Sequence, residues 1–446
     1  MLKRILPNLG FVLQFSGILI LIPAFLGMLW QEESCSVAFF LTSSLFLALG
    51  FLLNIFSERV GLNLKEAFVL LLLSFLCLGL IGTIPFLYLE VFGKFSLASL
   101  VNSFFESVSG FTTTGFTLLK NVEVLPKSFI VYRSLTQFIG GLGIVYISLS
   151  FVYSDHPRVL KRIGKIFEIK EKKNELKSFF FGILSIYAIL LLISSILSFF
   201  YFKDFFTSLA FSLSAISTGG FLPVKEINPS PFALFLCIPM FFGAVNFALY
   251  VKLSKAEEKI KQSFFLFILL IFLLFVFLFS SWKDITKAIF YSISVTTTSG
   301  FRLGDVNLTS SEELLFIGFM LIGGMSFSTA GGIKVERFLC ILRSVPKILR
   351  KKIMGEDISI DEYPFILFFL YIFTVFITAL LISSYGFAFD DSLLLSSSAL
   401  TTTGIATQKI FYLPTELRLL LSLVMILGRV EISPLLLLFI RRGSAQ

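Results

Sequence analysis

Long apolar stretches alternate with short polar ones along nearly the whole chain. A helix crossing a bilayer needs about 20 predominantly apolar residues. The stretches 9–30, 37–56, 67–89, 128–152, 179–202, 232–251, 264–282, 314–332, 365–385 and 417–440 meet that measure. The first two read as a hairpin turned at Gln31, Glu32, Glu33 and Ser34, and the other eight as four pairs. Within each pair lies a shorter apolar segment. Ser99, Asp204 and Asp284 stand where three of these segments would start, and Asp390 and Asp391 hold the corresponding place in the fourth. Ser and Asp oxygens accept the free amide hydrogens of a first helical turn, so these residues predict four half-helices.

Each short segment ends in one pattern, S-x-S-x-x-[ST]-T-x-G-[FI], whose glycines are Gly115, Gly220, Gly300 and Gly404. A single Ser/Thr/Gly-rich run is ordinary loop composition. Four in register between apolar stretches call for another reason. Glycine admits backbone conformations closed to other residues, so successive carbonyls can face one way. Four such strands around an axis make a ring of oxygens able to replace a cation's hydration shell. Non-helical backbone at membrane depth is tolerated only where protein buries it or where it lines a water-filled cavity. The candidate filter residues are Thr113, Thr114 and Gly115; Thr218, Gly219 and Gly220; Thr298, Ser299 and Gly300; and Thr402, Thr403 and Gly404. Half-helices pointing their C-terminal, negative dipole ends inward would also favour a cation.

The expected fold is an all-α polytopic membrane protein: four helix–pore-helix–helix repeats in pseudo-fourfold arrangement, preceded by an N-terminal helix hairpin. The expected units are 1–64 for the hairpin and 65–155, 156–255, 256–345 and 346–446 for the repeats.

Composition supports the membrane reading, since 56% of residues are hydrophobic and 58 are Phe, more than a soluble domain of this length could bury. The net charge of +9 could suggest nucleic acid, but its distribution does not. Basic residues gather between repeats, at Arg158, Lys161, Arg162, Lys165, Lys170, Lys172, Lys173 and Lys177, at Lys252, Lys255, Lys259 and Lys261, and from Lys334 to Lys352. The filter-bearing loops are poorer in Lys and Arg. The positive-inside rule then puts both termini in the cytoplasm and the filters toward the outside, in a multi-pass inner-membrane protein with no nucleic-acid partner. Leu9 to Trp30 reads as an uncleaved first helix. The four cysteines lack metal-binding spacing, and His156 is the single histidine, which argues against a His-based metal site or a Ser-His relay. An integral-membrane enzyme would need paired carboxylates or His ligands at one depth, and the spans carry none.

The helix after each filter carries a glycine at nearly one depth: Gly140, Gly243, Gly323 and Gly428. Small residues there allow close packing or a bend. The third of these helices contains Gly323-Gly324-Met325-Ser326-Phe327-Ser328-Thr329-Ala330-Gly331-Gly332, too rich in Gly and Ser for a plain span. It reads as a mobile segment beneath the filter, hence a gate, or else as a packing groove. Arg429 lies near the middle of the last span, where a charge costs ~2.5–3.5 kcal/mol on insertion scales. It is either an electrostatic barrier in a cation path or half of a structural ion pair. Asn246 and Gln137 read as polar links between helices.

Taken together, the four filter copies, the Gly–Ser segment and Gly428-Arg429-Val430-Glu431 resemble the Trk/Ktr/HKT superfamily of potassium transporters, most nearly the bacterial Trk membrane subunit. The resemblance covers the whole chain, including the extra N-terminal pair of helices. It implies K+ uptake through the filter, with K+ as the transported ion and no covalently bound cofactor. It also implies an intramembrane gating loop at Gly323, Gly324, Ser326, Ser328, Gly331 and Gly332, continuing to Lys334, and a pore arginine at Arg429. Implied partners are the lipid bilayer, a second copy in a homodimer, and a cytoplasmic RCK-type nucleotide-binding regulatory subunit. Met325 and Phe327 are bulkier than the family's loop pattern, which bears on how readily the loop opens. A Na+-permeable, or Na+- or H+-coupled, relative is the alternative; glycine in all four turns favours K+.

Overall fold

The computed structural model describes residues 2–55, 62, 64–143, 173–251, 258–304, 308–354 and 362–432. Helices α1 (Leu2–Leu29) and α2 (Glu33–Ile55) form the N-terminal hairpin. Their contact is built from small residues seven apart, with Gly10, Gly17 and Ala24 on α1 against Gly50, Ser43 and Ser36 on α2. Ser36 donates to the Ala24 carbonyl at 2.8 Å and Ser43 to the Gly17 carbonyl at 2.7 Å. A Cβ on Gly10 would lie 2.7 Å from the Gly50 carbonyl oxygen. In lipid, close backbone approach and interhelical hydrogen bonds replace the missing hydrophobic drive.

The first repeat runs through α3 (Leu64–Ile81), its short continuation α4 (Ile84–Tyr88), the half-helix α5 (Leu97–Phe111) and α6 (Lys127–Gly141). The second has α7 (Lys173–Phe202), the half-helix α8 (Phe205–Ile216), a 3-10 turn at Pro231–Leu236, α9 (Cys237–Ala244) and α10 (Phe247–Val251). The third has α11 (Glu258–Trp282), the half-helix α12 (Ile285–Thr296), α13 (Ser310–Ile322) and the basic α14 (Val335–Met354). The fourth has α15 (Tyr363–Ser383), the half-helix α16 (Phe389–Leu400) and α17 (Thr415–Arg429). α1, α2, α3 with α4, α7, α11 and α15 are each long and apolar enough to cross a membrane. The protein is therefore all-helical and polytopic.

The half-helices begin much as the sequence predicts, with two differences. Asp204 caps α8 by accepting the Thr207 N–H at 2.8 Å, and Asp284 caps α12 through the Thr286 and Lys287 N–H groups. In α5 the cap is Ser96. Ser99 is its partner three residues on, and each serine hydroxyl accepts the other's backbone N–H. The fourth half-helix has no side-chain cap, and Asp390 and Asp391 instead place negative charge in its first turn.

The second helices of the repeats are shorter than their hydrophobicity suggests. α6, α9, α13 and α17 stop at Gly141, Ala244, Ile322 and Arg429. The cause lies in the tertiary contact at the shared glycine. A Cβ on Gly140 would sit 1.8 Å from the Phe111 carbonyl oxygen, one on Gly243 2.4 Å from that of Ile216, and one on Gly428 1.9 Å from that of Leu400. In the first, second and fourth repeats the blunt end of the half-helix rests on the following helix, which ends there, whereas α13 ends at Gly323, whose Cβ would meet the Gly331 carbonyl oxygen at 2.2 Å. Close packing and a backbone break thus coincide. The remainders 144–152 and 433–440 of the expected spans, the basic 153–172 and both chain ends lie outside the described residues.

The hairpin is tied to the repeats at its tip. The Glu32 carboxylate accepts the N–H groups of Lys127 at 2.8 Å and Ser128 at 2.9 Å, capping α6, whose own N-cap Pro126 offers no side-chain acceptor.

Candidate functional site

All four half-helices end in one turn. The N–H of Thr114, Gly219, Ser299 and Thr403 donates to the carbonyl of Ser109, Ser214, Ser294 and Ser398, at 2.8 to 2.9 Å. Thr113, Thr218, Thr298 and Thr402 then take φ of 56°, 50°, 55° and 50°, and the glycines two residues on take 86°, 81°, 68° and 81°. A β-branched residue in the left-handed region is strained, so the surrounding bonds must impose this shape. The repeated hydroxyls do so. Thr112, Thr297 and Thr401 each donate to a carbonyl one helical turn back at 2.7 Å. The pairs Thr112–Thr114, Thr297–Ser299 and Thr401–Thr403 each join hydroxyls at 2.8 Å across the turn.

The four turns close on one another. A Cβ on Gly115 would lie 2.1 Å from the Gly219 carbonyl oxygen, and one on Gly220 2.5 Å from that of Ser299. One on Gly300 would lie 1.6 Å from that of Thr403, and one on Gly404 2.0 Å from that of Thr114. Each glycine thus abuts a carbonyl of the next repeat, in the order one, two, three, four and back to one. No L side chain fits at any of the four. All four glycines line an open vestibule of ≈ 590 Å³, with Lys120, Lys225 and Arg302 also on its wall. Among the described residues, no group of three or more His, Cys, Asp or Glu side chains comes together. The oxygens at the ring are those of backbone and hydroxyls, the ligands that hard cations take.

A buried ion pair braces the first strand. Glu106 on α5 and Arg133 on α6 are 0% and 2% exposed and 3.3 Å apart. Glu106 also accepts the Thr117 hydroxyl at 2.7 Å and the Leu118 N–H at 2.5 Å, while Arg133 stacks 4.1 Å from the centre of the Phe221 ring in the second strand.

Beneath the turns lies the segment 323–334. It leaves α13 at Gly323 (φ 72°) and returns at Gly332 (φ 78°), and these two glycines pinch its neck: a Cβ on Gly332 would lie 2.8 Å from the Gly323 Cα. Between them the backbone is tied down. The N–H of Met325 donates to the Ala244 carbonyl at 3.0 Å, and that of Ser326 to the Glu336 carboxylate at 2.6 Å. Ser328 donates its hydroxyl to the Met325 carbonyl at 2.6 Å, and the Val335 N–H reaches the Gly324 carbonyl at 3.0 Å. The crown of the segment touches the Thr-x-Gly strands. Thr329 donates to the carbonyls of Ile216 at 2.8 Å and Gly243 at 2.9 Å. The Gly331 N–H donates to the Thr298 hydroxyl at 2.7 Å, and a Cβ on Gly331 would lie 1.9 Å from the Thr401 carbonyl oxygen. Strands two, three and four are therefore all in contact with the segment. Met325 does not crowd it: its side chain is buried to one side among Ala244, Val245 and Phe267.

Arg429 completes the underside. The residue is 9% exposed, and its guanidinium donates to the Thr329 carbonyl at 2.7 Å and to the Gly140 carbonyl at 2.9 Å. It thus joins the segment to the break in α6, on the side of the first repeat. The neighbouring Glu431 pairs with Arg337 at 2.5 Å and locks the start of α14 to the end of α17. Sequence reasoning missed the Thr329 hydroxyl as a hydrogen-bond donor to the second strand, the Glu431–Arg337 lock and the Glu106–Arg133 brace. The acidic residue one position before Ser107 was the available signal for the last of these.

The family described as TrkH, cation transport protein, matches residues 263–445. An uncharacterized cation transporter of Methanocaldococcus jannaschii is 30% identical, over 98% of this chain and 95% of its own length. The Trk system potassium uptake protein TrkG of Escherichia coli is 26% identical over 96% of both chains. The crystal structure of the potassium transporter TrkH from Vibrio parahaemolyticus superposes with a TM-score of 0.82, covering 98% of each chain at 22% identity. That likeness is one of fold.

Proposed function

This chain belongs to the Trk family of cation transport proteins, ion transporters rather than enzymes, and from that premise we propose that it takes up K+ across the cytoplasmic membrane through the ring of Thr-x-Gly turns. The observation that carries the proposal is the cyclic contact of the four filter glycines with the carbonyls of the neighbouring strands. A cation that sheds its water there meets oxygens already held in place. In this reading each of the expected units 65–155, 156–255, 256–345 and 346–446 contributes one quarter of the filter.

The segment 323–332 is the gate and Arg429 its latch. In support, the segment touches three filter strands from below, and Arg429 bridges the remaining side. Passage then requires the segment to move, breaking the bonds of Thr329, Gly331 and Arg429. Both termini lie in the cytoplasm and the vestibule faces outward, on the strength of the basic loops. The protein pairs as a homodimer and takes an RCK-type regulator on its cytoplasmic side. α14 supports a docking role, since it exposes Leu342, Leu349 and Ile353 beside Arg343, Lys347 and Arg350.

Growth of a K+-uptake-deficient bacterium at limiting K+ tests the proposal. Rescue by the parent chain, and loss of rescue by a Gly300→Ala variant present in the membrane at equal amount, is the expected result. Failure of the parent to rescue, with Na+ entering instead, would refute it.

A further inference from the structure

The second filter turn departs from the other three at one residue. Where they carry Thr114, Ser299 and Thr403, whose hydroxyls pin the turn by pairing with the residue two before, it carries Gly219. Ser217 has no such hydroxyl to meet and keeps only its contacts to the carbonyls of Leu213 at 2.7 Å and Ser214 at 2.9 Å. Backbone shape does not demand glycine here, because the φ of Gly219 lies outside the left-handed region. Space does. A Cβ on Gly219 would lie 2.4 Å from both Cδ and Oε1 of Gln137, a residue of α6 in the first repeat.

Gln137 is fully buried and holds the second strand on both sides of Gly220. Its Oε1 accepts the Phe221 N–H at 3.1 Å, which fixes the orientation of the amide and turns Nε2 toward the Gly219 carbonyl, 2.5 Å away. That carbonyl is the oxygen against which Gly115 closes the ring. α6 can come this near because Gly141, one turn further on, lies against Ser217: a Cβ there would be 2.8 Å from the Ser217 Cβ.

We infer that Gln137 is a positioning residue for the filter, replacing from the first repeat the hydroxyl pin that the second strand lacks and thereby setting K+ over Na+ discrimination. The inference rests on the K+ filter proposed above. An oxygen tethered to a buried amide cannot follow a smaller ion inward, so the ring keeps the spacing of the larger one. Without the tether, Gly219 sits in the only strand with neither a hydroxyl pin nor a side chain to restrain it.

The structure also supplies the exchange that tests this. Removing the glutamine vacates the space a side chain at 219 needs, and a serine there has Ser217 within the reach seen in the Thr297–Ser299 pair. The K+/Na+ uptake ratio is measured in proteoliposomes for the parent, Gln137→Ala, Gly219→Ser and the double variant, each normalised to its monodisperse fraction. Gln137→Ala should lower the ratio roughly five-fold, the weight of one neutral hydrogen bond. Gly219→Ser alone should be worse, since its side chain collides with Gln137, and the double variant should return toward the parent. A parental ratio in Gln137→Ala, or a double variant no better than Gln137→Ala, overturns the inference. If either single variant is not monodisperse, recovery of the folded fraction in the double variant supports the exchange and its absence overturns it. A selective parent with an indifferent Gln137→Ala defeats this inference alone, whereas a parent carrying K+ and Na+ alike defeats the K+ filter as well.

Discussion

Arg429 separates two accounts of how a cation resists passage, and the Lys substitution decides between them. As a fixed charge, the residue would repel K+ in a low-dielectric passage, and Arg429→Lys would preserve the effect. As a latch, it acts through two bonds whose directions a single ammonium cannot reproduce: to Thr329 at 2.7 Å and to Gly140 at 2.9 Å. Hydrogen bonds to charged groups contribute ~1.5–3 kcal/mol each, so losing both should favour the open arrangement by at least ~3 kcal/mol. Every 1.4 kcal/mol is a factor of ten, which makes the shift about two decades in the ratio of open to closed protein. Where the closed form dominates, rubidium-tracer uptake into proteoliposomes should rise steeply in both Arg429→Met and Arg429→Lys. Deleting Ser326 to Thr329 should raise uptake too, but adding Arg429→Lys to that deletion should give little more, because the latch has lost its acceptor. Parental flux in Arg429→Lys beside raised flux in Arg429→Met would refute the latch and restore the charge barrier.

Three further outcomes follow from the geometry. Alanine at the filter glycines should damage K+ over Na+ discrimination in the order Gly300, then Gly404 and Gly115, then Gly220, following Cβ clashes of 1.6, 2.0, 2.1 and 2.5 Å; reversal potentials under mixed-cation gradients give the ranking. Glu106→Ala should cost about 3–5 kcal/mol by leaving Arg133 buried and unpaired, and Glu106→Ala with Arg133→Met should recover much of it, as read from unfolding midpoints in detergent. Asp204→Ala should remove about 1 kcal/mol of capping from α8. The Thr207 hydroxyl and N–H hold the Asp204 carboxyl below its ordinary value, so this stabilisation is present above the unfolded carboxylate pKa and lost as pH falls through the lowered one; an acid unfolding limb unchanged in Asp204→Ala would contradict it.

The four Thr-x-Gly turns were legible in the sequence because their spacing and hydroxyls recur, and local bonding from Ser109 to Gly115 and its three counterparts makes the shape. The ends of the second helices were not. The sequence reads 128–152 as one continuous span, and what stops α6 is a carbonyl at Phe111, far back along the chain. The same limit hid the partners of Arg429 and Gln137. Their acceptors are backbone carbonyls, which every residue carries, so no side-chain pattern announces them. Ser99 illustrates a smaller ambiguity, since in a capping box of two serines the sequence does not say which one is outside the helix.

Among the described residues, only the third repeat carries a segment like 323–334, and this has a consequence for symmetry. Four identical subunits around one axis would each bring such a crown to the same place, and four copies cannot occupy the volume that one fills. Either every copy would have to be short enough to share it, or none could reach it. Joining the quarters in a single polypeptide removes that exclusion. Each quarter is free to diverge, so one strand can lack its hydroxyl pin, one half-helix can go uncapped, and one crown can lie across the centre without competition. Under the proposed gating, closure falls to a single moving part where a homotetramer would need four to move in concert.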